Sequence, residues 1–124
     1  MKFLALDYGS ARTGVAVSDP TGTVARPLTT VERAAGEAGF AKLVAVIAAE
    51  EPELVVVGLP LTLRGDHGEQ AAETASFVER LRGAISIPVE MYDERFTSVL
   101  AGGDDARAAA HLLAGYLERR SAGA

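Results

Sequence analysis

The stretch that decides the fold is Leu4-Ala5-Leu6-Asp7-Tyr8-Gly9, an apolar run that ends on a carboxylate and a glycine. Alternation along an extended chain puts positions 3, 5 and 7 on one face and positions 4 and 6 on the other, so we expect a strand that is covered on both sides. A carboxylate at the end of such a strand is costly unless water, an arginine, a hydrogen-bond cap or a divalent cation compensates it. Asp7 is therefore the first candidate site residue.

Length and composition narrow the possible classes of protein. The 124 residues are enough for one domain, over 1–124, and too few for two lobes that close on a ligand. Hydrophobic residues make up 48% and charged residues 23%, as in ordinary globular proteins, and no apolar stretch approaches the length of a membrane span. With no cysteine and only two histidines, thiolate and histidine-rich zinc sites are excluded.

Charge and compartment follow from the same composition. The absence of cysteine, and an opening Met1-Lys2-Phe3-Leu4 without signal-peptide features, predict a cytoplasmic protein with no membrane partner. The formal net charge of -5 argues against polyanion binding by the whole surface. A local cluster can still contact phosphates, and its candidates are Arg12, Arg26, Arg64 and Arg95.

Hydrophobic periodicity predicts an α/β fold. Strands are expected over 2–7, 13–18, 23–31, 53–58 and 85–92, and helices over 36–50, 69–82 and 105–119, with a short helical piece over 97–101. Pro27 predicts that the third strand is an edge strand or is broken at this residue, and the β-branched run at 53–58 belongs at the sheet centre beside the first strand. This order predicts a five-stranded mixed sheet flanked by helices, as in ribonuclease H-like folds.

Acidic residues occur where three of these elements begin or end. Asp7 ends the first strand, Asp93 or Glu94 ends the fifth, and Asp104 or Asp105 opens the last helix. Helical phase puts Asp105 on the face that packs on the sheet and leaves Asp104 as an N-cap, whereas strand parity leaves Asp93 and Glu94 as alternatives. Converging carboxylates of this kind hold two cations during phosphodiester hydrolysis. Taken singly, an aspartate that opens a helix is more often a cap, and an acid at a strand end is more often solvated.

Four motifs in order resemble the bacterial YqgF family, also called RuvX. They are Leu4-Ala5-Leu6-Asp7-Tyr8-Gly9 with Arg12 and Gly14-Val15-Ala16-Val17-Ser18, then Val56-Val57-Gly58-Leu59-Pro60-Leu61, then Asp93-Glu94-Arg95-Phe96-Thr97-Ser98, and last Asp105 with Ala108, Ala109, Leu112, Leu113, Tyr116 and Leu117. The resemblance covers nearly the whole chain.

The resemblance implies a ribonuclease H-like, Holliday-junction-resolvase-like fold and a metal-dependent nuclease. The family is associated with 5′-end processing of pre-16S ribosomal RNA in the cytoplasm, and structured DNA is a further expected substrate. Carried over by position, Asp7, the pair Asp93 and Glu94, and Asp105 would be catalytic ligands of Mg²⁺ or Mn²⁺. Arg12, Arg95 and Thr97 would contact substrate phosphates.

One departure keeps other functions in consideration. Between Ser98 and Asp105 the family usually has a longer helix and a mobile loop with a lysine, whereas this chain has only Val99-Leu100-Ala101-Gly102-Gly103-Asp104. A non-catalytic nucleic-acid-binding or ribosome-assembly module is therefore the alternative to a nuclease. An ATP-binding phosphotransferase of the actin and sugar-kinase type shares the first hairpin but needs two lobes. The sequence leaves monomer and homodimer equally open.

Overall fold

The computed structural model describes the backbone of residues 1–60, 69–94 and 105–122, and the side chains of residues 1–58, 71–92 and 105–121. Within these ranges the elements follow in the order β1 (Phe3–Asp7), β2 (Arg12–Ser18), β3 (Ala25–Glu32), α1 (Glu37–Glu50), β4 (Leu54–Pro60), α2 (Glu69–Ala84), β5 (Val89–Glu94) and α3 (Asp105–Ala122). None of the described helices combines the length and the apolar character needed to cross a membrane.

The strands form one mixed sheet in the order β3-β2-β1-β4-β5. The pairs β1–β2 and β2–β3 are antiparallel, whereas β1–β4 and β4–β5 are parallel. This arrangement confirms the predicted mixed sheet, the placement of β4 beside β1, and β3 as an edge strand. The middle strand is β1 rather than β4. The β2–β3 register shifts between Val15 and Ala16, next to the pair of Ala16 with Pro27, because proline lacks the N–H that a regular ladder needs.

The two faces of the sheet are covered by different helices. Helices α1 and α2 cover the face that carries Leu4, Leu6 and Tyr8. Helix α3 covers the opposite face, where its apolar stripe packs on Phe3 and Ala5. Alternation along β1 therefore assigns Asp7, the last residue of the strand, to the face beneath α3.

The boundary between α2 and β5 differs from the predicted one. We expected a strand from Ile85, but α2 continues to Ala84 and the strand begins at Val89. The N–H of Ile85 donates to the carbonyl of Leu81, 3.1 Å away, which prolongs the helical hydrogen-bond pattern. The short helical piece predicted over 97–101 lies outside the described residues.

Candidate active site

Asp7 stands at the carboxyl end of the middle strand, paired with Gly14 of β2. It is partly buried, and within the described part of the chain no hydrogen bond to its carboxylate is recorded. Burial, and secondarily the negative charge of Asp105, raise the pKa of Asp7 from 3.8 to about 6. The expectation that Asp7 ends a strand covered on both faces is therefore confirmed.

Asp105 begins helix α3 and lies close enough to Asp7 to act on its pKa. The approach depends on Gly14, because a Cβ atom at this position would lie 1.7 Å from the carbonyl oxygen of Asp105. Since Gly14 is also the ladder partner of Asp7, the first turn of α3 is held directly over the end of β1. A glycine inside a strand pattern signals such close backbone approach, and our sequence reasoning did not use that signal.

Among the described residues, Arg12 supplies a positive charge at this corner. Its Nε lies 3.0 Å from Oδ2 of Asp105, with 59% of the arginine side chain and 28% of the aspartate side chain exposed. The sequence predicted Arg12 as a phosphate contact, and the structure adds a partner within the chain. One ion pair does not exhaust the five N–H donors of a guanidinium, so Arg12 can hold Asp105 and still reach an anion.

The third expected source of carboxylate lies two strands away. The backbone of Asp93 pairs with Leu59, and that of Glu94 with Pro60, at the carboxyl end of β4. Because β1, β4 and β5 are parallel, their carboxyl ends share one edge of the sheet. The backbone of β5 therefore ends at the same edge as Asp7.

Several predicted site residues fall outside the described ranges. They are Arg95, Thr97, Asp104 and the side chains of Asp93 and Glu94. Among the described side chains, no group of three or more histidine, cysteine, aspartate or glutamate residues is arranged to hold a metal ion. Asp7 and Asp105 are the two candidate ligands whose side chains are described. Their carboxylates are oxygen donors of the kind that Mg²⁺ and Mn²⁺ prefer, so their chemistry fits these cations.

Comparison with known proteins gives a family match along most of the chain. A family model described as "RuvX: Holliday junction resolvase" matches residues 1–119. A relative from Chloroflexus aggregans is 48% identical over 98 residues, covering 79% of this chain and 69% of its own. A relative from Anaeromyxobacter is 37% identical over 137 residues, covering 98% of this chain and 100% of its own. Both carry the name "Putative pre-16S rRNA nuclease".

Those alignments also show a difference in length. The chain spans 64% of the length of the two Chloroflexus aurantiacus relatives it matches. The 137-position alignment with the Anaeromyxobacter protein is longer than the 124 residues of this chain, so the relative carries residues that this chain lacks.

Two solved resolvase structures share this architecture. A Thermus thermophilus RuvC structure in complex with a Holliday junction superposes with a TM-score of 0.60 at 18% identity, covering 98% of this chain and 96% of its own. A Fowlpox virus resolvase in complex with junction DNA gives a TM-score of 0.60 at 10% identity, covering 97% and 99%. At these identities the likeness shows the fold alone, and it confirms the predicted ribonuclease H-like fold.

Proposed function

Because this chain belongs to the RuvX family, we propose that it is a nuclease that hydrolyses phosphodiester bonds with the help of a bound Mg²⁺ or Mn²⁺. The observation that carries the proposal is the juxtaposition of Asp7 and Asp105 across Gly14. Two carboxylates forced together in a partly buried corner raise each other's electrostatic energy, and a divalent cation between them would remove that repulsion.

Asp7 and Asp105 would hold the cation, and an acid at the end of β5 would complete the set of ligands. A bound cation of this kind lowers the pKa of a coordinated water and neutralises charge on the phosphate. Asp7 enters from the sheet and Asp105 from the first turn of α3, so the two ligands belong to separate elements whose spacing Gly14 sets. The site would therefore be sensitive to the packing of α3.

Between the two acids of β5, we propose Glu94 as the ligand. Tyr92 packs against Tyr116 of α3, with ring centroids 5.5 Å apart, and so faces the same side of the sheet as Asp7. Strand alternation gives position 94 the face of Tyr92 and position 93 the opposite face. Replacing Glu94 with Gln should then reduce cleavage far more than replacing Asp93 with Asn. The reverse order of effects would reassign the ligand to Asp93.

Arg12 would bind a phosphate of the substrate beside the metal ligands. Its guanidinium already lies at the corner through its ion pair with Asp105, and more than half of the side chain is exposed. Arg95 and Thr97 would add further phosphate contacts, as the family resemblance implies. We propose precursor 16S ribosomal RNA as the substrate, with structured DNA as a second, in a cytoplasmic protein that is a single domain over 1–124.

A non-catalytic nucleic-acid-binding module is the second candidate function. The observation in its favour is that relatives carry residues that this chain lacks. If those residues complete the catalytic site, the chain would bind nucleic acid without turnover. The two candidates differ in one measurable property, which is cleavage that depends on Mg²⁺ or Mn²⁺.

The test is a cleavage assay with wild type, Asp7→Asn and Asp105→Asn on structured RNA, single-stranded DNA and four-way junctions. We expect Mg²⁺- or Mn²⁺-dependent cleavage by wild type and a loss of about 100-fold or more in both variants. Asp19→Asn is the matched control, because Asp19 lies in the β2–β3 turn, where backbone N–H groups bind its carboxylate. Cleavage by Asp7→Asn at the wild-type rate would refute the proposed site. Binding without any cleavage by wild type would establish the second candidate.

A further inference from the structure

A groove of about 440 Å³ opens beside the proposed active site, between the β2–β3 strand pair and helix α1. Its lining residues are Arg12, Thr30, Glu32, Ala38, Gly39 and Lys42. The motifs that predicted the site include only Arg12 from this set. The groove therefore needs an explanation of its own.

The groove is continuous with the acidic corner. Arg12 lines the groove, and its Nε reaches Oδ2 of Asp105 at 3.0 Å. The strand register connects the two as well, because Asp7 pairs with Gly14 and Gly14 pairs with Thr30. Neighbouring strands are about 4.8 Å apart, so Thr30 lies about 10 Å from Asp7 across the sheet. An extended ligand that leaves Asp7 in this direction enters the groove.

The wall formed by α1 is built by tight backbone packing. A Cβ atom on Gly39 would lie 2.0 Å from the carbonyl oxygen of Arg33, so only glycine allows the helix to approach the end of β3 so closely. Arg33 adopts a left-handed conformation with φ of 48°, and its N–H donates to the carbonyl of Ala11 at 2.9 Å. This bond ties the wall to the residue before Arg12. The groove is therefore preformed.

Charge indicates which ligand the groove suits. The chain has a net charge of -5 and only two lysines. Lys2 forms an ion pair with Glu50 at 3.1 Å, beside the start of β1. Lys42 is exposed, and no ion pair between it and a described residue is recorded. The lining residues include two cations, Arg12 and Lys42, and one acid, Glu32. Arg12 is paired with Asp105, so Lys42 is the lining cation for which no ion pair with a described residue is recorded.

We infer that this groove carries the sugar–phosphate backbone of the nucleic-acid strand next to the phosphodiester bond that is cleaved. Arg12 binds the phosphate nearest the acidic corner, and Lys42 binds one farther along the same strand. The small side chain of Ala38 leaves room for the backbone between them. Contacts of this kind are made to phosphates, so they position the strand without reading its sequence. The inference rests on the proposed function in its choice of ligand.

The two lysines allow a direct test by amine footprinting. Full-length Asp7→Asn protein, which should bind without cutting, is treated with an acetylating reagent in the presence and absence of a single-stranded oligoribonucleotide. The rate of acetylation of each lysine is measured by mass spectrometry. We expect the rate at Lys42 to fall at least about threefold when the oligonucleotide is bound. Lys2, whose amine lies on the Glu50 side of the molecule, should react at an unchanged rate. Equal protection of both lysines, or protection of neither, would overturn the inference.

A pair of variants gives a second readout that does not depend on footprinting. Lys42→Ala should weaken oligonucleotide binding and lower the slope of log K against log salt concentration by about 0.7, the value for one phosphate contact on a single strand. Lys2→Ala removes the same charge and should leave that slope unchanged. An unchanged slope in Lys42→Ala would contradict the inference.

The outcomes separate this inference from the proposed function. If Asp7→Asn loses cleavage but Lys42 is not protected, the nuclease proposal stands and the groove does not carry the strand. If Lys42 is protected but wild type shows no metal-dependent cleavage, the groove stands as a nucleic-acid surface and the nuclease proposal fails.

Discussion

Two aspartates at opposite ends of the β1–β2 hairpin show how differently this fold treats one side chain. Asp19 follows β2 in the turn toward β3, and Asp7 ends β1 beneath α3. Both lie next to a strand, yet the pKa of Asp19 is lowered and that of Asp7 is raised. The difference comes from hydrogen-bond donors around Asp19 and from burial with a second carboxylate around Asp7.

The turn around Asp19 supplies donors to its carboxylate. Its Oδ1 accepts hydrogen bonds from the N–H groups of Thr23 and Val24 at 2.7 and 2.8 Å, and its Oδ2 accepts one from the hydroxyl of Thr21. The hydroxyl bond is the largest cause of the lowered pKa, and the backbone bonds follow. This carboxylate acts as the cap of its own turn.

The corner around Asp7 has the opposite character. Burial is the main reason that the pKa of Asp7 is raised, and the second reason is a neighbouring carboxylate. The one described cation at the corner, Arg12, pairs with Asp105. Backbone and hydroxyl donors of its own turn bind the carboxylate of Asp19, whereas among the described residues no hydrogen bond to the carboxylate of Asp7 is recorded.

The largest combined effect on stability and cleavage should come from Gly14→Ala, which displaces Asp105 from Asp7 without replacing either carboxylate. The new methyl group would lie 1.7 Å from the carbonyl oxygen of Asp105, so α3 has to move. We expect a loss of about 2 to 3 kcal/mol in the free energy of unfolding and about 100-fold in cleavage. Chemical denaturation and the cleavage assay measure both.

The control for this variant is Gly83→Ala, near the end of α2. A methyl group at position 83 would have no atom of the described residues within 4 Å beyond its own helix and chain neighbours. This change should alter stability by between zero and about 1 kcal/mol in the favourable direction. Similar losses in both variants would refute the role of Gly14.

Asp7→Asn should stabilise the protein while removing its activity. The pKa of Asp7 rises from 3.8 to about 6 on folding, so the native state binds this proton more tightly and the wild type loses stability as pH rises through that range. Asparagine does not ionise, so the variant does not lose stability in this way and should be more stable than wild type by about 2 to 3 kcal/mol at pH 7. Urea unfolding at pH 4, 5, 6 and 7 should show a difference that grows with pH. A difference independent of pH would contradict the raised pKa.

Asp19→Asn should have the opposite effect on stability and should destabilise the protein at pH 7. The pKa of Asp19 is lowered on folding, so its contribution to stability is fully present above the unfolded value of 3.8 and is lost as pH falls below it. We expect a lower melting temperature at pH 7, a smaller difference from wild type under acid conditions, and unchanged cleavage. A variant more stable than wild type at pH 7 would remove the contrast between the two aspartates.

The smallest effect should come from Arg12→Gln, measured as Mn²⁺ affinity without nucleic acid. Removing the guanidinium that lies 3.0 Å from Asp105 frees this carboxylate for the cation. Because more than half of the arginine side chain is exposed, we expect Mn²⁺ to bind only about two- to fivefold more tightly in a calorimetric titration. Arg26→Gln, near the start of β3, is the control for the loss of one positive charge. Equal changes in both variants would mean that net charge alone controls the affinity.

Much of this architecture could be predicted from the sequence because its signals are local. Alternation in β1, the β-branched run of β4 and the stripe of α3 confirm the expected elements, and Pro27 correctly indicated an edge strand. The predicted start of β5, at Ile85, was wrong. Ile85 has a high strand propensity, yet the last turn of α2 captures its N–H. Strand propensity alone does not show whether a residue at such a boundary joins the preceding helix or the following strand.

The candidate site divides in the same way. Asp7 and Asp105 were predicted by strand end and helical phase, and the structure brings both to one corner. The ion pair of Arg12 and the proximity of Lys42 to that corner were not predicted, since each depends on contacts between elements far apart in sequence. The roles of Asp93, Glu94, Arg95 and Thr97 stay predictions.

By itself, the sequence determined which elements form, that Asp7 ends a strand covered on both faces, and that Asp105 opens a helix on its inner phase. These properties follow from periodicity and from chain direction, which are local. Only the tertiary structure decided that Gly14 lets α3 settle over Asp7, and that burial with a second carboxylate raises the pKa of Asp7 while the turn lowers that of Asp19. Desolvation and charge proximity depend on what packs around a group, and packing joins residues that the sequence keeps apart.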